Sequence, residues 1–274
     1  MEKTIDIEKV FRNKLGSITS FLPLKWFEKL VHLDEINEFL WENRDKYGVD
    51  FTDAVLKNLN VKIEVEGMEN LPAPDDPKRL TFVSNHALGA IDGVSIMSTL
   101  GHYYGSSERF GVITNDILTL LPGIAPLLIP INQSGKQSRD LPAQMNAAFG
   151  SDKQVVLFPA GIVSRKKNGV LHDLKWNKMF VGKTTKYQRD VLPIHFIGEN
   201  SPFYYRVTRY FDWFLTKKGA GRLFNFLFMP GEMIKTQDKT FRIKFGKPIP
   251  WQTFDKSKTP DEWAQYVSDI VHSI

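Results

Sequence analysis

Along this chain the rhythm of apolar positions changes near residue 60. Before it, apolar side chains fall at helical intervals, as in Leu24, Phe27, Leu30 and Val31 and again in Ile36, Phe39 and Leu40, which predicts a helical preface over about 4–60. From Val61 onward, short apolar runs rich in β-branched residues alternate with amphipathic stretches. The runs Val61–Glu66, Leu80–Ser84, Val155–Phe158, Val191–Ile197 and Phe241–Phe245 read as strands, and the stretches near 91–101, 108–121, 139–149 and 176–188 as helices. This alternation predicts an α/β fold, a mixed sheet flanked by helices, behind an N-terminal helical segment. Near the end, Thr259-Pro260-Asp261-Glu262 has the form of a capped helix start, with Trp263, Val267, Ile270 and Val271 as the buried face. Three parts follow: a helical, membrane-contacting segment 1–60, a central domain 61–250 and a C-terminal amphipathic helix 251–274. No internal repeat or low-complexity segment interrupts them.

The chemistry gathers at strand ends. The strand ending at Ser84 runs into Asn85-His86, followed by Gly89 and Gly93, with Asp92 at the start of the next helix. A histidine there can take a proton from a hydroxyl if a carboxylate fixes its other ring nitrogen. The two are six positions apart, which in one continuous helix would turn their side chains about 240° apart. The pair therefore needs a loop-to-helix bend, and Gly89 supplies the backbone freedom for it. From the residues alone this competes with a plainer arrangement, His86 bonded to backbone and Asp92 capping a helix. A second constellation, Phe158-Pro159-Ala160-Gly161-Ile162-Val163-Ser164-Arg165-Lys166-Lys167, also follows a strand. Gly161 permits a turn exposing backbone amides, and Ser164, Arg165 and Lys166 can bind phosphate. Its plainer reading is a strand end followed by a solvated basic loop.

Composition narrows the choices. A chain of 274 residues that is 42% hydrophobic and 24% charged belongs with folded proteins, and the absence of cysteine excludes a thiol nucleophile and any Cys-ligated metal. His32, His102, His172 and His272 read as surface or helix-face residues and His195 as part of a strand. No His-Glu-x-x-His, Gly-x-Ser-x-Gly or phosphate-loop motif is present, and Gly219-Ala220-Gly221 lacks the third glycine of a dinucleotide fingerprint.

Asn85-His86 with Asp92, then Phe158-Pro159-x-Gly161, then Val191-Leu192-Pro193-Ile194, resemble in type and order the motifs of the glycerolipid acyltransferase family, over roughly residues 75–200. The resemblance implies that His86 is the general base and Asp92 orients it. It implies a thioester of coenzyme A or acyl carrier protein as acyl donor, and neither a metal nor a resident cofactor. Substrate contacts fall by the same implication on Asn85, Gly89, Phe158, Pro159, Gly161, Ser164, Arg165, Lys166 and Pro193. The departures are specific. Here His-x5-Asp replaces His-x4-Asp, and Phe-Pro-Ala-Gly-Ile-Val replaces Phe-Pro-Glu-Gly-Thr-Arg, with Arg165 two places beyond the usual Arg. The family's aromatic-rich motif ending in Arg has a loose counterpart in Leu128–Gln133, with Lys136 and Arg139 beyond it. Such variants are similar to bacterial O-acyltransferases of ornithine- and glycine-lipid synthesis, which points to a lysolipid acceptor, either lysophosphatidate or a lyso-aminolipid.

Charge bears on where this would happen. Lys and Arg exceed Asp and Glu by 36 to 31, and the stretch 203–247 carries ten cations against Asp212, Glu232 and Asp238, interleaved with Phe, Tyr and Trp. Helices packed on the core with solvated cations would give this pattern, and so would a membrane-interface surface. A lipid substrate favours the membrane. The apolar stretch 117–131 is broken by Pro122, Gly123, Pro126 and Pro130, and the first residues lack a secretory signal's apolar centre, so a peripheral protein on the cytoplasmic face of the membrane is expected. A catalytically degenerate lipid- or carrier-binding protein is the alternative. Nucleic acid is not an expected partner, for no helix-turn-helix or RNA-binding signature accompanies the basic patch.

Overall fold

The computed structural model describes residues 32–115, 118–119, 121–131, 140–215 and 221–274, with side chains in 211–215 and 221–227 excepted. The first half of the helical preface, Asn132, Gln133, Lys136 and Arg139 of the loose counterpart to the aromatic-rich motif, and Gly219-Ala220 lie outside the described residues. Helices α1 (Leu33–Glu42) and α2 (Val49–Asn58) bear out the rest of the preface. The chain then alternates β1 (Lys62–Glu66), β2 (Leu80–Ser84), α3 (Ile91–Tyr104), β3 (Phe110–Asn115), β4 (Leu128–Ile131), α4 (Leu141–Gly150) and β5 (Gln154–Leu157). A hairpin of β6 (Arg165–Lys167) and β7 (Val170–His172) precedes α5 (Met179–Tyr187) and β8 (Asp190–Ile197). Helices α6 (Pro202–Leu215) and α7 (Gly221–Ile234), β9 (Thr240–Phe245) and α8 (Pro260–Ser273) complete it.

Seven strands form one mixed sheet in the order β1-β9-β8-β2-β5-β3-β4. From β8 to β4 all neighbours are parallel, while β9 runs antiparallel to β8 and carries β1 parallel to itself. The central strands β2 and β5 are buried along their whole length, as parallel strands covered on both faces must be. Alternation then sorts their side chains. Phe82, Val156, Leu192 and Ile194 face one apolar core with α2 and α3, and Val83, Val155, Leu157 and Val191 face a second with α4, α5 and α8. Trp263, Val267 and Val271 of α8 belong to that second core, so the C-terminal helix is a layer of the fold, and its start is a complete Thr259–Glu262 capping box.

Two expectations need correction. Within the stretch 108–121, Phe110–Asn115 is a strand and not a helix. Its Phe110-Gly111-Val112-Ile113 run is strand β3, paired with β5 and β4, and the β-branched residues outweigh the helical spacing. The proline-broken run after it yields β4, where Pro130 is tolerated because the strand lies at the sheet edge and pairs only with β3. The basic loop folds back as the β6–β7 hairpin around Asn168-Gly169, whose φ values of +52° and +82° fit a tight turn. No helix among the described residues is long and apolar enough to cross a membrane.

Candidate active site

Three neighbouring parallel strands, β8, β2 and β5, send loops from their C-terminal ends to one place, the edge at which α/β sheets bind ligands. Asn85 continues β2 by one residue. Its Nδ2 donates to Phe196 O at 2.9 Å and its Oδ1 accepts from Phe196 N at 2.7 Å, so the side chain is buried in service of the sheet and not turned to a substrate. The chain is thereby anchored immediately before His86. Gly89 then takes φ +89°, α3 begins at Ile91, and Asp92 in its first turn faces back across the loop. His86 Nδ1 lies 3.0 Å from Asp92 Oδ2. The extra residue is absorbed in this bend.

Asp92 is fully buried and saturated. Its Oδ2 also accepts the N–H groups of Leu88 at 3.0 Å and Gly89 at 3.1 Å, and its Oδ1 accepts that of Gly93 at 2.8 Å. The carboxylate thus holds the imidazole, the loop and a first-turn amide of α3 together, the arrangement that an oriented histidine requires. Burial alone would raise the Asp92 pKa, but the His86 charge, its hydrogen bond and the backbone amides outweigh this and hold it below the ordinary value. Burial would likewise lower the His86 pKa, and Asp92 more than offsets it, so the imidazole titrates above its usual range. With Nδ1 committed to Asp92, Nε2 is the nitrogen for a substrate hydroxyl, and the side chain keeps 17% exposure through which to meet one.

The β5 loop forms the adjoining wall. Phe158 stacks on the His86 ring at 4.4 Å between centroids. Pro159 is buried and its carbonyl accepts from Asn177 N at 2.9 Å. Gly161, with φ +70°, closes a turn by donating to Phe158 O at 2.9 Å, and a Cβ built there would meet nothing within 4 Å, so this turn borders open space. Ser164 N donates to the His86 carbonyl at 2.8 Å. The cations are engaged elsewhere: the Arg165 guanidinium is buried and donates to Val163 O at 2.7 Å, and Lys166 pairs with Glu199 beside the Tyr205 ring. Pro193 lies inside β8, in register with Val83 and against Gly246, short of the strand end that reaches the site.

Some residues at the site carry no motif. Asn200, just beyond β8, places its Nδ2 at 3.4 Å from the carbonyls of both Ala87 and Leu88. Met229 of α7 and Val163 pack against Gly89 so closely that a Cβ there would lie 2.2 Å from Met229 Sδ. Asp173 hydrogen-bonds Ser164 Oγ and accepts from Trp176 Nε1 at 2.9 Å. The only trace of these in the sequence is the Asp-x-x-Trp spacing behind a basic run.

Fold and site together define an α/β protein whose sheet end presents a partly exposed histidine held by a buried carboxylate. The family model described as "Acyltransferase" matches residues 9–270, and the chain belongs to that family. It is 46% identical over 275 aligned positions to lyso-glycine lipid O-acyltransferase of Bacteroides thetaiotaomicron, across 98% of this chain and 97% of the relative. It is 44% identical to the protein of the same name from Phocaeicola vulgatus, across 98% of this chain and 95% of that one. The crystal structure of the 1-acyl-sn-glycerophosphate (LPA) acyltransferase PlsC from Thermotoga maritima aligns with a TM-score of 0.44 at 16% identity, covering 97% and 95% of the two chains. The acyltransferase expectation is met.

Proposed function

We propose that this protein acylates the free hydroxyl of a lyso-aminolipid, lyso-glycine lipid first among them, from an acyl thioester at a membrane surface. The observation that carries the reading is the His86–Asp92 pair, bonded at 3.0 Å with Asp92 fully buried and the His86 side chain 17% exposed. His86 takes the proton of the acceptor hydroxyl through Nε2 as its oxygen attacks the thioester carbonyl. A C–O bond forms, the C–S bond breaks, and the imidazolium returns its proton to the departing thiolate. Phe158 supports the ring, and the open turn at Gly161 is where the acceptor enters.

The names of the two relatives support a lyso-aminolipid over lysophosphatidate. The engagement of Arg165 and Lys166 with protein partners fits an acceptor without a phosphate. Coenzyme A and acyl carrier protein both supply a suitable donor. For the membrane, α6 offers a face on which Phe203, Arg206, Arg209 and Tyr210 are exposed, aromatics and cations together. The test is to incubate purified protein with labelled acyl-coenzyme A or acyl carrier protein and a panel of lysolipids, comparing wild type with His86→Ala. Transfer to lyso-glycine lipid that disappears in the variant is expected. Equal turnover by both would refute the mechanism, and transfer to lysophosphatidate alone would refute the acceptor.

A further inference from the structure

Ser164 joins the loop after β5 to the loop after β2, and what holds Ser164 is Asp173. The Ser164 N–H donates to the His86 carbonyl at 2.8 Å, while its Oγ lies 3.0 Å from that same oxygen and also hydrogen-bonds Asp173 Oδ1. A hydroxyl has one proton and a carboxylate can only accept, so the Ser164 proton goes to Asp173 and the backbone amide holds His86. The second oxygen of Asp173 accepts from Trp176 Nε1 at 2.9 Å and lies 3.8 Å from His272 Nε2 on α8. His195 of β8 lies behind, its ring 5.7 Å from that of His272.

The Asp173 side chain is only 2% exposed. None of these partners carries a permanent positive charge, and a carboxylate so buried costs far more than the neutral amide that would serve a hydroxyl and an indole equally well. The nearby catalytic group that gains from the charge is His86, whose protonated form is favoured by Asp173 as well as by Asp92.

We propose that Asp173 is a positioning residue for acyl transfer: it fixes Ser164 so that the β5 loop holds the His86 main chain, and it sets a second negative charge against the loop that carries His86 as that ring takes up the acceptor's proton. Asp173 itself takes no proton, and the bonds made and broken are those given above. The proposal rests on His86 being the base.

Its test measures kcat and KM with acyl thioester and lysolipid for wild type, Asp173→Asn, Ser164→Ala and the double variant. Alongside, the His86 imidazole is titrated by NMR and folding is followed by thermal denaturation. Asp173→Asn is expected to lower kcat by about 10- to 100-fold with KM little changed, the loss typical of a slightly displaced catalytic group. The His86 midpoint should move to lower pH. Ser164→Ala should also lower kcat, and the double variant should fall short of the product of the singles, because both act through one contact. A wild-type kcat in Asp173→Asn with an unmoved midpoint overturns the proposal, as does a loss matched by the fraction unfolded. If Asp173→Asn does not fold, an unchanged kcat in Ser164→Ala overturns it. Inactive wild-type protein refutes the base assignment instead, and the His86 midpoint then still decides whether Asp173 acts on the ring.

Discussion

Replacing Asp92 with asparagine tests the centre most directly, because the change keeps the shape and removes the charge. Asp92 accepts four hydrogen bonds, three on Oδ2 at 3.0–3.1 Å and one on Oδ1 at 2.8 Å. An amide has one accepting oxygen, so either its NH2 group opposes the Gly93 N–H or it opposes the other three donors. The first arrangement is cheaper and forfeits one charge-assisted bond, about 1.5–3 kcal/mol of stability, which a domain of this size survives. Chemistry suffers more. A positioned general base contributes about 10²–10⁴ in rate, equivalent to about 3–5 kcal/mol of barrier, and without the carboxylate His86 keeps an acceptor on Nδ1 but loses the charged partner of its imidazolium. The expected kcat is therefore at least about 100-fold below wild type with KM nearly unchanged. The pH profile gives an independent sign. In the wild type Asp92 outweighs burial and holds His86 above 6.5, so activity, which needs neutral His86, falls as pH drops through a value above 6.5. In Asp92→Asn burial opposes protonation without that counterweight, and the acid limb of the residual activity moves to lower pH. Steady-state kinetics across pH on folded protein check both. A wild-type kcat, or an acid limb that stays in place, would refute the assignment of Asp92.

Three further outcomes follow from the same contacts. Gly89→Ala forces a side chain into φ +89° and against Val163 and Met229, at a cost of about 1–2 kcal/mol for the backbone and about 1–3 for overpacking, so the urea midpoint should fall together with activity. Arg189 is fully buried, its Nε and Nη1 donating to the carbonyls of Phe149, Leu80 and Lys153 at 2.7–3.1 Å, with Ser151 bonded as well. Burial first, and then the Arg79 charge, push its pKa down to about 10. Arg189→Met strands those carbonyls and should lower unfolding free energy by about 3–5 kcal/mol in urea titrations, and an unchanged midpoint would contradict its role as the staple at the end of α4. Reversing charge with Arg206→Glu and Arg209→Glu should weaken co-sedimentation with anionic vesicles by about 1 kcal/mol or more per residue, and equal binding would remove α6 from the membrane contact.

What was legible in the sequence was local. β2 shows as a short run built on Leu80, Phe82 and Val83, α8 carries its whole start signal in Thr259–Glu262, and the His86–Asp92 pair closes within seven residues, so short patterns reveal all three. β3 was misread because a short run containing Phe110 and Gly111 satisfies two periods, and only its pairing with β5 decides between them. The β6–β7 hairpin hid because Arg-Lys-Lys has no apolar alternation, although its Asn-Gly turn was visible. Asn85 and Pro193 looked like substrate residues from their position in motifs. Which way an amide points is settled by Phe196, 111 residues away, and adjacency in sequence carries none of that. Asn200 and Arg189 are hidden for the same reason, since the sheet brings Asn200 to Ala87 and Leu88 and Arg189 to Leu80, while Asp173 leaves only its Asp-x-x-Trp spacing.

The division of labour among strand ends has a bearing on how such an enzyme can diversify. The His86–Asp92 pair is contained in 86–92 and braced by its own amides, whereas the open turn at Gly161, the proposed acceptor surface, comes from a separate stretch after β5. Exchange of residues around Gly161 can therefore alter which lipid is accepted while the base stays intact. The freedom ends at Ser164, whose amide is bonded to the His86 carbonyl. Acceptor choice and catalytic power are separable inheritances up to that one residue, and changes beyond it reach both.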